Sequence, residues 1–152
     1  WKLIDPGSAA GLDGSIAKAS ESGDNWFGYY WNPTSLVGKY DMQAIDMGSY
    51  AGDDNWNDCV AKAGSGCEPS SWINSRVNTI LSDNMYYNGP SDAMKYFKAR
   101  TWPGTVMNQM LVWMEDTGGT GADASVEFLS SHGDVWKTWV SADVAASVEA
   151  SL

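Results

Sequence analysis

Basic residues are scarce in this sequence, and their scarcity excludes one broad class of function. Lys and Arg together number 9 against 19 Asp and Glu, which gives a formal net charge of −10 and an isoelectric point near 4.2. Such a charge repels a phosphate backbone, and no cluster of basic side chains interrupts it. The sequence therefore excludes nucleic acid as a partner.

Long apolar runs are also missing. No stretch approaches the roughly 18 consecutive apolar residues of a membrane span, and residues 1–6 lack the architecture of a signal peptide. We therefore expect a soluble chain. It begins on what reads as a strand, without Met or leader, which indicates a processed product or a fragment of a longer protein.

Histidine occurs once, and its surroundings do not favour catalysis. His132 lies in the polar run Ser-His-Gly-Asp at residues 131–134, and no Gly-x-Ser-x-Gly motif supplies a nucleophilic serine. No pair of carboxylates stands out for glycoside chemistry, and glycine-rich phosphate loops are missing. The sequence predicts no catalytic residue and no cofactor.

Only two cysteines are present, on either side of a short flexible loop. Cys59 and Cys67 flank residues 60–66, a run of Ala, Lys, Gly and Ser after one Val. We predict a disulfide between them, which implies an oxidising compartment such as a periplasm. Two reduced thiols in a surface loop are the alternative.

The spacing of three polar residues suggests a calcium-binding loop, but two residues that define such a loop are absent. Asp53, Asn55 and Asn57 have the one-three-five spacing of such a loop. The sixth position, however, is Asp58 rather than Gly, and the twelfth is Gly64 rather than Glu. With no second cysteine pair and a distant histidine, the sequence predicts no metal site.

The order of apolar patterns predicts an α/β fold with parallel strands and flanking helices. Strands are expected at residues 1–4, 26–31 and 40–45, with a helix after Ser8 as its N-cap and a brief helix after Pro33 and Thr34. Residues 72–81 fit a strand or a helix. The last third is expected to be helical, over residues 91–99, 105–115, 122–130 and a final stripe at 144–152.

Aromatic residues are abundant and suggest recognition. Nine Trp and seven Tyr exceed what a core of this size usually needs. The run Phe-Gly-Tyr-Tyr-Trp-Asn-Pro at residues 27–33 concentrates rings at the end of a predicted strand, where π-faces can hold a quaternary ammonium group. A core strand that happens to be aromatic is the alternative. A core position is the better interpretation for four other tryptophans, and Trp56 is undecided; the four are Trp102, Trp113, Trp136 and Trp139.

Four segments together resemble a known family. The sequences at residues 6–10, 29–33, 134–140 and 144–152 are similar to those of substrate-binding proteins of ABC importers for glycine betaine, choline and related osmolytes. The resemblance implies part of a two-lobed periplasmic binding protein of type II-like α/β fold that closes on its ligand. It further implies that residues 1–46 are the second half of one lobe, 47–71 a loop or crossover, and 72–152 the C-terminal part of the other lobe. By this resemblance, the family's N-terminal half is expected to be missing.

The resemblance also assigns site residues. Trp31 matches the family's aromatic box, with Tyr29 and Tyr30 as adjacent candidates, of which strand alternation allows only one on the face of Trp31. Ser8, at a helix N-terminus, is the expected anchor for a ligand carboxylate. Thr34 stands where many relatives have a histidine.

The function implied is non-enzymatic transport in osmoprotection. The chain would bind a quaternary ammonium osmolyte in a periplasmic or extracellular location, with a lipid anchor as one variant. Its partners would be an ABC permease and either the missing N-terminal half or a second copy that exchanges elements with the first. A secreted aromatic-platform carbohydrate-binding module is the alternative, usually built from β-sandwich strands, and a glycoside-cleaving enzyme is a third reading.

Overall fold

The computed structural model describes residues 3–152, and within this range the secondary structure is entirely helical. Two short 3₁₀ turns, Val60–Lys62 and Lys137–Trp139, accompany nine α-helices in the described residues. In chain order these are α1 (Ala9–Ser22), α2 (Ser35–Lys39), α3 (Asp53–Asp58), α4 (Asp83–Asn88), α5 (Ser91–Ala99), α6 (Gly104–Thr117), α7 (Gly121–Ser131), α8 (Gly133–Trp136) and α9 (Ala142–Glu149).

The expectation of an α/β fold with parallel strands is wrong. Residues 26–31 and 40–45 form no strand, nor do residues 3 and 4; residues 1 and 2 lie outside the described range. A strand is stabilised by hydrogen bonds to a neighbouring strand, and an alternating pattern cannot tell whether that neighbour exists. Side chains of residues 26–31 bond to α1 instead: the Trp26 indole donates to Ser15 and the Tyr30 hydroxyl to Asp13.

The helices predicted from caps and apolar spacing are confirmed. Helix α5 has the predicted bounds, and α6, α7 and α9 differ from theirs by a few residues. Ser8 is the N-cap of α1, where its Oγ accepts a 3.0 Å hydrogen bond from the backbone N–H of Gly11. Thr34 caps α2 in the same way. Helices α3, α4 and α8 were not predicted, α3 lying in the segment expected to be a loop or crossover, and residues 72–81 form neither of the two structures that their pattern allowed.

The chain divides into two compact units. One comprises Trp1–Met42 and Leu81–Leu152, and the other Gln43–Ile80. The second unit contains α3 and a disulfide between Cys59 and Cys67. The assignment of residues 1–46, 47–71 and 72–152 to parts of two lobes stays a prediction.

The core of the first unit is built by the last four helices. Its buried side chains include Phe128 on α7 and the two rings Trp136 and Trp139, and the Trp136 indole donates to the Leu129 carbonyl at 2.8 Å. The core position predicted for Trp136 and Trp139 is confirmed. Trp113 packs half-buried against this core, and Trp102 is 37% exposed at its edge.

Helix α2 packs closely on α6. A Cβ atom added to Gly38 on α2 would lie 2.8 Å from the Val112 side chain and 3.0 Å from the Asn108 carbonyl oxygen, both on α6. Asn108 is a buried polar residue, and its Oδ1 accepts a 2.9 Å hydrogen bond from the backbone N–H of Thr34. A side chain at Gly38 would therefore separate the two helices, and loss of the Asn108 amide would leave a half-buried donor unsatisfied.

We expect Gly38→Ala to lower the free energy of unfolding by about 1–3 kcal/mol, because the new methyl group overpacks the α2–α6 contact. Gly14→Ala on α1 is the matched control, since a Cβ there meets nothing within 4 Å. That variant should gain roughly 0.5–1 kcal/mol from reduced chain entropy. Urea denaturation followed by helical circular dichroism measures both, and equal stabilisation by the two alanines would contradict this packing.

We expect Asn108→Ala to destabilise the first unit by roughly 1–3 kcal/mol, because the Thr34 N–H loses its acceptor in a half-buried position. Gln109→Ala removes an exposed amide from the next position on α6 and serves as control. It should change stability by less than about 0.5 kcal/mol. Chemical denaturation and amide hydrogen exchange at Thr34 provide the measurements. An Asn108→Ala protein with unchanged Thr34 exchange would show that this bond does not form.

Candidate functional site

The aromatic segment, residues 26–31, lies at the surface of the first unit. The exposed fraction is 68% for Phe27, 52% for Tyr29 and 46% for Trp31, whereas Tyr30 and Trp26 are half-buried. Rings of a core strand would be covered by neighbours on most of their surface. The alternative in which this run is an aromatic core strand is therefore wrong.

The Trp31 ring contacts both tyrosine rings of this segment. Tyr30 stacks on Trp31 with ring centroids 4.5 Å apart and an interplanar angle of 25°, and Tyr29 lies 6.1 Å from Trp31 at 33°. Strand alternation was expected to allow only one tyrosine beside Trp31. Both tyrosines contact it because the segment is not a strand.

This arrangement leaves a π-surface for a cation. Stacking covers the facing sides of Tyr30 and Trp31, while Trp31 remains nearly half exposed. A cation is attracted to a ring within about 6 Å of its centroid. Because the Tyr29 and Trp31 centroids are only 6.1 Å apart, one methylated ammonium group can lie within that distance of both.

Two side-chain hydrogen bonds join the aromatic segment to helix α1. The Tyr30 hydroxyl donates to Asp13 Oδ1 at 2.8 Å, and the Trp26 indole N–H donates to Ser15 Oγ at 3.0 Å. Burial raises the pKa of Tyr30, and the hydrogen bond to Asp13 and the charge of that carboxylate raise it further, against a smaller lowering by the Thr34 hydroxyl. Tyr30 is thus a neutral donor fixed in place, and its ring supports Trp31.

Sequence reasoning missed Asp13 and Asn108. Each has its partner far along the chain, at a separation of 17 residues for Asp13 and 74 for Asn108. The only local signal was a polar side chain next to the apolar stripe of Leu12 and Ile16 on α1. That signal does not identify a partner.

Thr34 lies with the rings, and Ser8 is not in contact with them. Thr34 Oγ1 accepts from the Val37 N–H at 3.2 Å as a helix cap, and its hydroxyl reaches Tyr30. Ser8 caps α1, and Asp5 already places a carboxylate oxygen at 2.8 Å from the Gly7 nitrogen in the preceding turn. A second carboxylate at this helix start would meet that negative charge.

The remaining polar candidates form no site in the described residues. Residues 3–152 contain no group of three or more His, Cys, Asp or Glu side chains placed to hold a metal ion. Asp53 accepts from the Tyr50 hydroxyl at 2.6 Å, and the His132 ring stacks on Phe128 with centroids 5.7 Å apart. Within the same range, none of the helices has the length and apolarity that crossing a membrane requires.

Comparison with known proteins gives one match. No curated protein and no solved structure matches the chain significantly. The family described as the substrate binding domain of ABC-type glycine betaine transport system matches residues 1–131 of the 152. This match confirms the resemblance seen at residues 6–10 and 29–33, while the similar segments at 134–140 and 144–152 lie beyond it. The chain therefore belongs to the family of substrate-binding domains of ABC-type glycine betaine transport systems.

Proposed function

We propose that this chain binds a betaine-like or choline-like quaternary ammonium osmolyte on the rings of Trp31, Tyr30 and Tyr29 and delivers it to an ABC permease. The observation that carries the proposal is the stacked pair of Tyr30 and Trp31, held against α1 at the surface, with Tyr29 6.1 Å from Trp31. Membership of a glycine betaine transport family is consistent with such a ligand.

The chemistry of the ligand fits this surface. A quaternary ammonium has no N–H to donate, so it gains little from hydrogen-bond acceptors and is attracted by the negative faces of aromatic rings. The net charge of −10 also raises the local concentration of cations around the protein. For a betaine, we propose that the hydroxyl of Thr34 turns from the Tyr30 oxygen, to which it donates, and donates to the ligand's carboxylate instead; Ser8 is a second candidate without contact to the rings.

These rings alone bind weakly. A cation–π contact at an exposed site is worth about 0.5–1 kcal/mol, so three contribute at most about 3 kcal/mol. Micromolar affinity requires about 8 kcal/mol. We therefore propose that further rings or donors come from another segment, either an N-terminal half that the family resemblance implies or a second copy of this chain. The proposed location is periplasmic or extracellular, with or without a lipid anchor.

The alternatives receive no support. A carbohydrate-binding module with a β-sandwich needs strands, and residues 3–152 contain none. Enzymatic turnover is not part of the proposal, since binding and release of an osmolyte break no bond. Circular dichroism dominated by a helical signal is the matching expectation for the purified chain.

We expect Trp31→Leu to weaken binding of glycine betaine or choline by roughly 2- to 5-fold, because it keeps apolar bulk but removes the ring face that a cation contacts. The matched control is Trp72→Leu, which removes a 58% exposed tryptophan from the second unit. That variant should bind as the unchanged protein does. Calorimetry at millimolar ligand concentrations, or ligand-observed NMR, measures the difference.

A neutral isostere separates cation–π binding from simple apolar contact. In the tert-butyl analogue of choline, carbon replaces the quaternary nitrogen, so the shape is kept and the positive charge is lost. It should bind the unchanged protein more weakly than choline does and should bind Trp31→Leu about as weakly as choline does. Equal binding of choline and its analogue to the unchanged protein would overturn the role of the rings.

We expect Asp13→Asn to lower the pKa of Tyr30 without returning it to its ordinary value, because the amide removes the nearby charge and burial remains. Ultraviolet titration of each protein against its Tyr30→Phe version isolates this phenol. Asp24→Asn, which changes an exposed carboxylate without a Tyr partner, is the control. A Tyr30 pKa that did not move in Asp13→Asn would contradict the contact.

Because the pKa of Tyr30 is raised in the folded protein, the free energy of unfolding depends on pH. The unfolded chain releases the Tyr30 proton first, so the stabilisation is complete below about pH 10 and is lost as the pH rises through the folded-state value. The free energy of unfolding should therefore fall more steeply with pH in the unchanged protein than in Tyr30→Phe.

A further inference from the structure

A concave feature of the first unit lies away from the aromatic segment. It is a cavity of about 440 Å³ among the C-terminal helices, and none of its lining side chains is charged. Its lining includes Tyr96, Trp102, Met110, Phe128 and Trp139, and no residue of the aromatic segment. The volume falls in the range of small-molecule sites, and protein interiors rarely leave voids larger than a water molecule.

One polar side chain that lines the cavity, Trp139, makes no hydrogen bond within the described part of the protein. Trp139 is only 6% exposed, and its indole N–H meets no hydrogen-bond acceptor in the described part of the chain, whereas the neighbouring Trp136 donates to Leu129. No fully enclosed side-chain nitrogen or oxygen in residues 3–152 is without a partner. The Trp139 nitrogen is therefore not fully enclosed, and it belongs to a side chain that lines the cavity.

The faces of the Trp139 ring are covered by other rings. Phe128 stacks on it at 5.6 Å and 21°, Tyr96 meets it at 6.3 Å and 64°, and Trp102 lies 5.5 Å away. A cation needs an open face, so this cluster differs from the exposed surface of Trp31. What Trp139 offers instead is an N–H at the ring edge.

The part of the cavity wall that α6 forms is adaptable. Met107, Met110 and Met114 follow each other at helical spacing on α6 and all line the cavity. Unbranched thioether side chains change rotamer easily and fit ligands of varied outline. The wall can thus close around an apolar body while the donor fixes one end.

We propose that this cavity is a second binding site, which takes a neutral, mainly apolar small molecule carrying one hydrogen-bond acceptor for the Trp139 N–H. An anion would find no basic side chain in the lining and a protein of net charge −10. A cation would find neither a carboxylate nor an open face at Trp139. A neutral acceptor can bond the Trp139 N–H without the desolvation penalty of a charge.

Comparison of methyl benzoate with toluene tests whether a ligand's hydrogen-bond acceptor contributes to binding. Both have the same ring, and only the ester accepts a hydrogen bond. In ¹⁵N-labelled protein, methyl benzoate should shift the Trp139 indole resonance downfield and bind roughly 2- to 10-fold more tightly than toluene. The resonance is assigned with Trp139→Phe, in which this preference should disappear while toluene still binds.

Two serine-to-leucine variants test whether the probe binds in this cavity. Ser125 and Ser130 are both exposed on α7, and each hydroxyl donates at 2.8 Å to the carbonyl four residues earlier. Only Ser125 lines the cavity. Ser125→Leu should fill it and reduce methyl benzoate binding at least tenfold, and Ser130→Leu should bind as the unchanged protein does.

The proposal is overturned if neither probe moves the Trp139 resonance, if both probes bind equally, or if the two leucine variants behave alike. Trp136→Phe shows whether loss of any buried indole has the same effect, since its N–H is already bonded within the protein. The result is separate from the aromatic segment: betaine should move the Trp31 resonance only, and methyl benzoate the Trp139 resonance only.

Discussion

The hydrogen bond from the Thr34 N–H to Asn108 is the contact on which the arrangement of the first unit depends, because it joins residues 74 positions apart. It fixes the start of α2 on α6. Gly38 lets the two backbones approach, and Lys39 ends the contact with bonds to Glu115 at 3.0 Å and to the adjacent carboxylate at 3.1 Å. The exposed ion pairs of Lys39 add little to stability. The buried amide of Asn108 and the absence of a side chain at Gly38 determine how closely α2 packs on α6.

The position of the Trp31 ring follows from this contact and from α1. Trp31 is three residues before Thr34, so the chain that carries it is anchored on one side by Asn108 and on the other by the bond between Tyr30 and Asp13. Rings that are already ordered lose little conformational entropy when a ligand arrives. Weak cation–π contacts can contribute to affinity only under that condition, since each is smaller than the entropy of ordering a mobile side chain.

The sequence predicted the features that depend on neighbouring residues and failed for those that depend on residues far along the chain. Helix α1 and its Ser8 cap, and the bounds of α5, depend on residues within one turn, so pattern and cap chemistry sufficed. Strands depend on a partner elsewhere, and the pattern at residues 26–31 was satisfied by packing on α1. The exposed rings of the site could be read from their concentration in one run, but Asp13 and Asn108 could not, because nothing local marks a donor so distant.

The two aromatic clusters of this chain show why composition alone does not give the ligand. Both contain tryptophan and tyrosine in mutual contact, yet Trp31 keeps part of its face exposed while Trp139 has its faces covered and an edge N–H unpaired. An exposed face attracts a methylated cation, and an N–H without a partner in the protein can bond a ligand's acceptor. The chemistry that we propose for each cluster is therefore determined by the part of the ring that packing leaves without a partner, which only the three-dimensional arrangement reveals.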